Sequence, residues 1–136
     1  MKEALILYRQ GKAKDTLADA RVLLCGGSAF SALNRIYYAM FYEVLALLLT
    51  RDLSSAKHTG VRALFNEHFV KADIVPVELG RLFSRMYDFR QKSDYGDFVT
   101  IQQEKVHEWL GQADAFIEQI DAIIKDNLNT VDSIKK

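Results

Sequence analysis

Between Phe30 and Leu49 the chain carries apolar or aromatic side chains almost all the way round a helix. A helix with no polar side must be surrounded, either by the rest of its own fold or by another protein. Leu33, Ile36, Tyr37, Met40, Val44 and Leu48 share one face and should be core. Arg35, Tyr38, Tyr42, Leu45 and Leu49 share the other. We expect Tyr38, Tyr42, Leu45 and Leu49 to form a homodimer surface, with burial beneath the following helix as the alternative.

The flanking segments have the same period. Ile6, Ala13, Leu17, Ala20 and Leu24 make one stripe, and Val106, Trp109, Leu110, Ala113, Phe116, Ile117, Ile120 and Ile124 make another. With one proline and seven glycines, the breaks between segments are easy to place. Gly26-Gly27 ends a first helix over roughly 3–24, and Ser28 is positioned to cap a second that runs to about Thr50. A short third helix fits Lys57 to Val70. Pro76 suits the first turn of a fourth, ending near Lys92. Asp94 to Asp97 reads as a loop. Thr100 with Gln103 forms a capping box for a fifth helix to about Leu128, and 129–136 reads as a frayed tail. Long amphipathic helices joined by short breaks pack as antiparallel neighbours. The expected fold is therefore all-α, an antiparallel up-and-down bundle of about five helices, four long and one short, in one domain over 1–128.

Composition narrows the function classes. Lys plus Arg and Asp plus Glu both total 18, so no global positive field gathers nucleic acid, although a local basic patch still can. Cys25, the single cysteine, cannot form an internal disulfide and is expected to be a small buried hydrophobe. Met1-Lys2-Glu3 leads into a short apolar run ended by Arg9, unlike a secretory signal. The stretch from Ile36 to Leu49 is short for a membrane span and is interrupted by Glu43, so a cytoplasmic location is expected. His58, His68 and His107 lack metal-ligand spacing, and Gly26-Gly27 lacks the further glycines and lysine of a phosphate loop; no metal or cofactor is expected. His58, near the start of a helix, suits a local hydrogen bond, and His68 and His107 suit the rim. The six tyrosines fall mostly on packing stripes.

The fourth helix holds the anomaly. Leu79, Leu82, Phe83 and Met86 lie on one side, with Arg81, Arg85, Asp88 and Lys92 opposite as a solvated face. Arg90 falls four residues after Met86, on the apolar stripe, so its guanidinium should point toward the bundle end or a partner. A poorly hydrated arginine needs carboxylate or phosphate partners. The choices are an ion pair with Asp94 or Asp97 that latches the next loop, or a ligand phosphate.

The run Ser31-Ala32-Leu33-Asn34-Arg35-Ile36-Tyr37-Tyr38-Ala39-Met40-Phe41 resembles the Asn-Arg-x-Tyr-Tyr-Ala signature of HEPN-domain proteins. His58-Thr59-Gly60-Val61, Arg90 followed by Asp94-Tyr95, and the last amphipathic helix agree in order and spacing. The resemblance implies a helical bundle. It also implies a two-component, toxin–antitoxin-like system with a minimal nucleotidyltransferase as partner. Many such proteins cleave RNA without metal, through an arginine followed after four to six residues by a histidine. Arg90 matches that arginine, but Tyr95, Gly96 and Asp97 stand where the histidine would be, so the chain resembles the Arg…Asp-Tyr variants. The leading expectation is binding of the nucleotidyltransferase, or of nucleotide or RNA, around Arg90 with Arg35. The alternative is an RNA-cleaving site of Arg90, Tyr95, Asp94 and His58. Tyr95 near pKa ~10 and the aspartates near ~4 are poor bases at neutral pH, which leaves His58, if the fold brings it near. By the same resemblance, Tyr95 is a candidate for modification by the partner.

Overall fold

The computed structural model describes residues 1–95 and 101–135, with side chains for 1–91 and 101–129. It is an up-and-down bundle of α1 (Lys2–Cys25), α2 (Ala29–Leu49), α3 (His58–Phe65), α4 (Val77–Tyr95) and α5 (Gln103–Lys135); a π-helical turn, Asn66–Val70, continues α3. Four helices are long and one is short, as the periodicity predicts.

The apolar stripes are the core. All the residues named above on the inward faces of α1, α2 and α5 are buried, as are Leu79, Leu82, Phe83 and Met86 of α4. α2 lies at the centre, packed against the other four helices. At 21 residues it is long and apolar enough to cross a membrane, but most of it is buried inside the bundle. The outer strip is only partly covered by the chain's own helices. Tyr38, Tyr42, Leu45 and Leu49 are half-buried. Lys12 of α1 lies 4.7 Å from the centre of the Tyr42 ring, and Arg9 of α1 donates to the Leu45 carbonyl. His58, at the start of α3, meets the edge of Tyr38.

Several local expectations need correction. Ser28 occupies the N-cap position of α2 but makes no side-chain cap bond; its N–H instead donates to the Leu23 carbonyl across the Gly26-Gly27 turn. Gly27 has φ of +84°, the left-handed backbone that lets the chain reverse there. Cys25 is exposed, because the inward stripe of α1 ends at Leu24 and the next residue turns about 100° away. Pro76 stands just outside α4, its carbonyl accepting from Leu79. α4 runs three residues past Lys92, so Asp94 and Tyr95 are helical rather than loop. α5 begins at Gln103, and the Gln103 side chain donates to the Leu24 carbonyl of α1. A capping box would need that side chain for the N-terminus of its own helix, and Thr100 lies outside the described residues. α5 continues to Lys135, beyond the Leu128 expected.

One feature of α2 departs from its apolar surroundings. Glu43 is fully buried. Burial, with the Asp121 carboxylate beside it, pushes its pKa up to about 10, so it is held as a neutral acid. Burial works against ionised Asp121 as well. Hydrogen bonds from Glu43, Gln10 (2.9 Å) and Lys14 (3.2 Å) outweigh it and hold the Asp121 pKa below the usual value. The group thus joins α1, α2 and α5 around one shared negative charge.

Raising the pKa of an acid on folding means that the folded state retains a proton the unfolded chain releases. The associated stability is full below the unfolded value near 4.5 and declines as pH rises toward about 10. Glu43→Gln keeps the shape and a donor toward Asp121 without that titration. We predict that melting temperatures across pH 5–9 diverge, with the variant increasingly the more stable toward high pH. Parallel curves would show that Glu43 ionises alike in both states.

Candidate active site

Tyr37 is the starting point, because a fully buried tyrosine needs a partner for its hydroxyl. Its ring stacks on Phe83 and on Phe41 within the core. The hydroxyl emerges at the start of α3, 3.0 Å from Nδ1 of His58. The His58 ring lies flat on Phe41, with centres 4.2 Å apart and planes 7° apart. Ring stacking and one hydrogen bond together fix the imidazole in position.

The loop before α3 sets where His58 starts. Ser55 Oγ accepts the Lys57 N–H, and the Ser55 side chain fills the space where a Cβ on residue 60 would lie. Gly60 is therefore the residue that lets this loop close on the first turn of α3.

Arg90 reaches the same place from the last turns of α4. Its guanidinium lies 5.5 Å from the Tyr37 ring centre and 5.1 Å from that of Tyr38. Arg35 faces Tyr38 as well, at 5.0 Å, and is braced by Asn34 Oδ1 at 2.8 and 3.3 Å. Each guanidinium–ring contact contributes about 0.5–2 kcal/mol, depending on how far it is desolvated. Behind them Arg62 of α3 lies 4.4 Å from the Tyr87 ring and pairs with Asp88 at 3.5 Å, while the Tyr87 hydroxyl accepts from Gln91.

The electrostatics follow from that crowding. Burial, and then the positive charge of Arg90, hold the His58 pKa below its ordinary value, so the imidazole is neutral at neutral pH. Burial raises the Tyr37 pKa well above the usual tyrosine range, so its hydroxyl keeps its proton. A neutral imidazole and two guanidiniums on one pair of tyrosine rings suit a phosphodiester, where positive charge and a proton acceptor are needed together. Among the described residues no group of three His, Cys, Asp or Glu side chains could hold a metal ion.

The fold thus assembles Arg90, Arg35 and His58 of the sequence-derived candidates. The side chains of Asp94 and Tyr95 lie outside those described, as does any pairing of Arg90 with Asp94 or Asp97. From its place on the apolar stripe Tyr37 reads as core alone. The signal available was its place on the buried stripe, which obliges its hydroxyl to find a partner. Asn34, beside Arg35 in the same motif, was legible only as part of a pattern.

The HEPN domain family model matches residues 7–123. The chain belongs to the HEPN domain family. Across 92% of its length this HEPN domain is 45% identical to a Thermotoga maritima protein named "UPF0332 protein", covering 95% of that protein. It is 31% identical to a Methanocaldococcus jannaschii protein named "Putative toxin MJ0605", over 85% of this chain and 86% of that one. A second protein of that organism, "Putative toxin MJ0142", is 38% identical over 65% of this chain and 60% of its own.

Because Arg90 helps keep His58 neutral, removing it should raise the histidine pKa. In an NMR titration of the His58 ring protons, wild type should titrate below the ordinary ~6.5. Arg90→Ala should move the midpoint upward. An unchanged midpoint would mean that the two side chains are not electrostatically coupled.

Proposed function

We propose that this HEPN domain is the toxin-like component of a two-component cytoplasmic system, and that its Arg90–His58 site binds and cleaves an RNA phosphodiester. The observation that carries this reading is the meeting of the His58 ring and the Arg90 guanidinium on one tyrosine pair, with the Tyr37 hydroxyl 3.0 Å from His58 Nδ1. His58, from α3, takes the role of the histidine that the family pattern places after Arg90 and that this sequence lacks there.

In the tautomer with the proton on Nδ1, His58 donates to the Tyr37 oxygen and presents the Nε2 lone pair. Nε2 takes the proton of a ribose 2′-hydroxyl. The 2′ oxygen then bonds to phosphorus while the bond from phosphorus to the 5′ oxygen of the next nucleotide breaks. That oxygen takes a proton from water, to which the imidazolium returns its own. The products are a 2′,3′-cyclic phosphate and a 5′-hydroxyl. Arg90 faces the charge that grows on the phosphoryl oxygens, and Arg35 holds the neighbouring phosphate. In the opposite tautomer Tyr37 donates to Nδ1, and Nε2–H can only donate to a bound phosphate. That arrangement corresponds to the second reading, a binding module.

The test is cleavage of labelled RNA by purified protein with EDTA present. General-base and charge-stabilising groups each contribute about 10²–10³-fold, so Arg90→Ala and His58→Ala should each lower the rate by at least ~100-fold. The wild-type rate should hold through neutrality and fall on the acid side as His58 protonates, with a midpoint below ~6.5. Intact RNA after incubation with well-folded wild type would leave only the binding reading.

For partners, we propose a minimal nucleotidyltransferase and a second copy of this chain. The homodimer reading is supported by the aromatic and aliphatic strip of Tyr38, Tyr42, Leu45 and Leu49, which the chain's own helices only half cover. Sedimentation should give a dimer for wild type and a folded monomer for Tyr42→Glu with Leu49→Glu. A variant that remains dimeric would place the contact elsewhere.

A further inference from the structure

Every arginine in the described structure but two has a partner. Arg9 donates to a carbonyl, Arg21 pairs with Asp114, Arg51 covers Phe69, and Arg35, Arg62 and Arg90 belong to the cluster around the tyrosines. Arg81 and Arg85 are exposed and make no ion pair or hydrogen bond among the described residues. They stand one turn apart on the outer face of α4, the face expected from the sequence to be merely solvated.

That face borders a groove of about 500 Å³ between α4 and the π-helical turn that continues α3. Its walls include Asn66, Gly80, Arg81, Ser84, Arg85 and Asp88. Gly80 lets the two elements meet: a Cβ there would stand 2.9 Å from a Val70 methyl and 3.3 Å from Asn66 Oδ1. The lining is rich in hydrogen-bond donors, with two fixed positive charges against Asp88. The charge of Asp88 is already offset by Arg62.

The groove leads to the site. Residue 80 meets residues 66 and 70, Arg62 meets Asp88, and His58 lies by Arg90, so α3 and α4 run antiparallel with the groove between them. From Asp88 in the groove wall, contacts continue through Arg62 to the Tyr87 ring, and from Tyr87 to Tyr37, whose hydroxyl holds His58. A strand whose scissile phosphate sat at Arg90 would find this channel on leaving the site. Two arginines at i and i+4 have Cβ atoms ~5–6 Å apart, which suits successive phosphates of one strand.

We propose that the α3–α4 groove is an extended subsite for single-stranded RNA, in which Arg81 and Arg85 bind the backbone of nucleotides flanking the one held at Arg90. This rests on the reading of the Arg90–His58 site as an RNA site. Recognition is of backbone charge, with Asn66 and Ser84 as polar neighbours. It predicts a length requirement that the central site alone would lack.

The test uses a 2′-O-methyl oligonucleotide, which has no free 2′-hydroxyl and so cannot be cut by this route. A dinucleotide and a twelve-nucleotide strand are titrated against wild type, Arg81→Ala/Arg85→Ala and Arg90→Ala at several salt concentrations. The proposal expects wild type to bind the long strand more tightly than the dinucleotide. It expects the double variant to lose at least ~10-fold in affinity for the long strand only. The slope of log K against log salt should fall by ~1.4, from two lost contacts at ~0.7 each. Arg90→Ala should weaken both ligands. Wild-type affinity and slope for the long strand in the double variant would overturn the subsite while leaving the central site standing, and would direct attention to an acidic protein surface as the partner of these arginines. Failure of wild type to bind either ligand would overturn the RNA reading itself, and the subsite with it. Both substitutions are at exposed positions, and an unchanged circular dichroism spectrum and melting temperature show that the variant is folded.

Discussion

Tyr37 has to satisfy two demands from one position on the central helix. Its ring is fully buried among Phe41, Phe83 and Tyr87, so it is part of the core that holds α2 and α4 together. Its hydroxyl cannot be left unpaired there without a penalty of about 1–3 kcal/mol. The partner it finds is Nδ1 of His58, delivered by the first turn of α3. The packing that makes the bundle therefore also fixes the imidazole, and the guanidinium of Arg90 lies across the same ring. Three core-forming helices meet at one tyrosine, and the short loop before α3 sets where His58 starts.

Charge then follows from position. His58 is desolvated and beside a permanent cation, and both effects favour the neutral ring. Arg90 and Arg35 bring two guanidinium groups to the same tyrosine. Among the described side chains, the end of the bundle where α4 finishes brings two guanidiniums and a neutral imidazole onto one pair of tyrosine rings, although the chain as a whole has no net charge. The opposite treatment is seen further along α2. Buried Glu43 is kept neutral by protonation, and its neighbour Asp121 carries the charge for both, bonded to α1. Glu43 of α2 and His58 of α3 are thus both held neutral by desolvation, although one is an acid and the other a base.

Most of the fold was legible in the sequence, because burial in helices is periodic and this chain has few breakers. The stripes on α1, α2, α4 and α5 name the core residue by residue. Arg90 was legible as an anomaly, since a charge on an apolar stripe has to be explained. His58 was legible as a candidate but its place beside Arg90 was not, because that depends on the path of residues 50–57 and on the fit of Ser55 against Gly60, which no period encodes. Glu43 was visible only as an interruption of an apolar run. Gln103 satisfied the local rule for a cap, yet its amide is used across the bundle, on the carbonyl left open at the end of α1. Local rules gave way wherever a neighbouring helix offered a better partner. His58 precedes Arg90 in the chain and stands on another helix, but spacing along one helix is only one way of bringing two side chains together.

The most direct test of a base at this site is the position of one proton. In protein labelled with nitrogen-15 in histidine, the two ring nitrogens of His58 have different shifts according to which is protonated. At neutral pH we predict a neutral ring with the proton on Nδ1, directed at the Tyr37 oxygen, and a bare Nε2. A proton on Nε2, or an imidazolium protonated at both nitrogens, would contradict a base at this site.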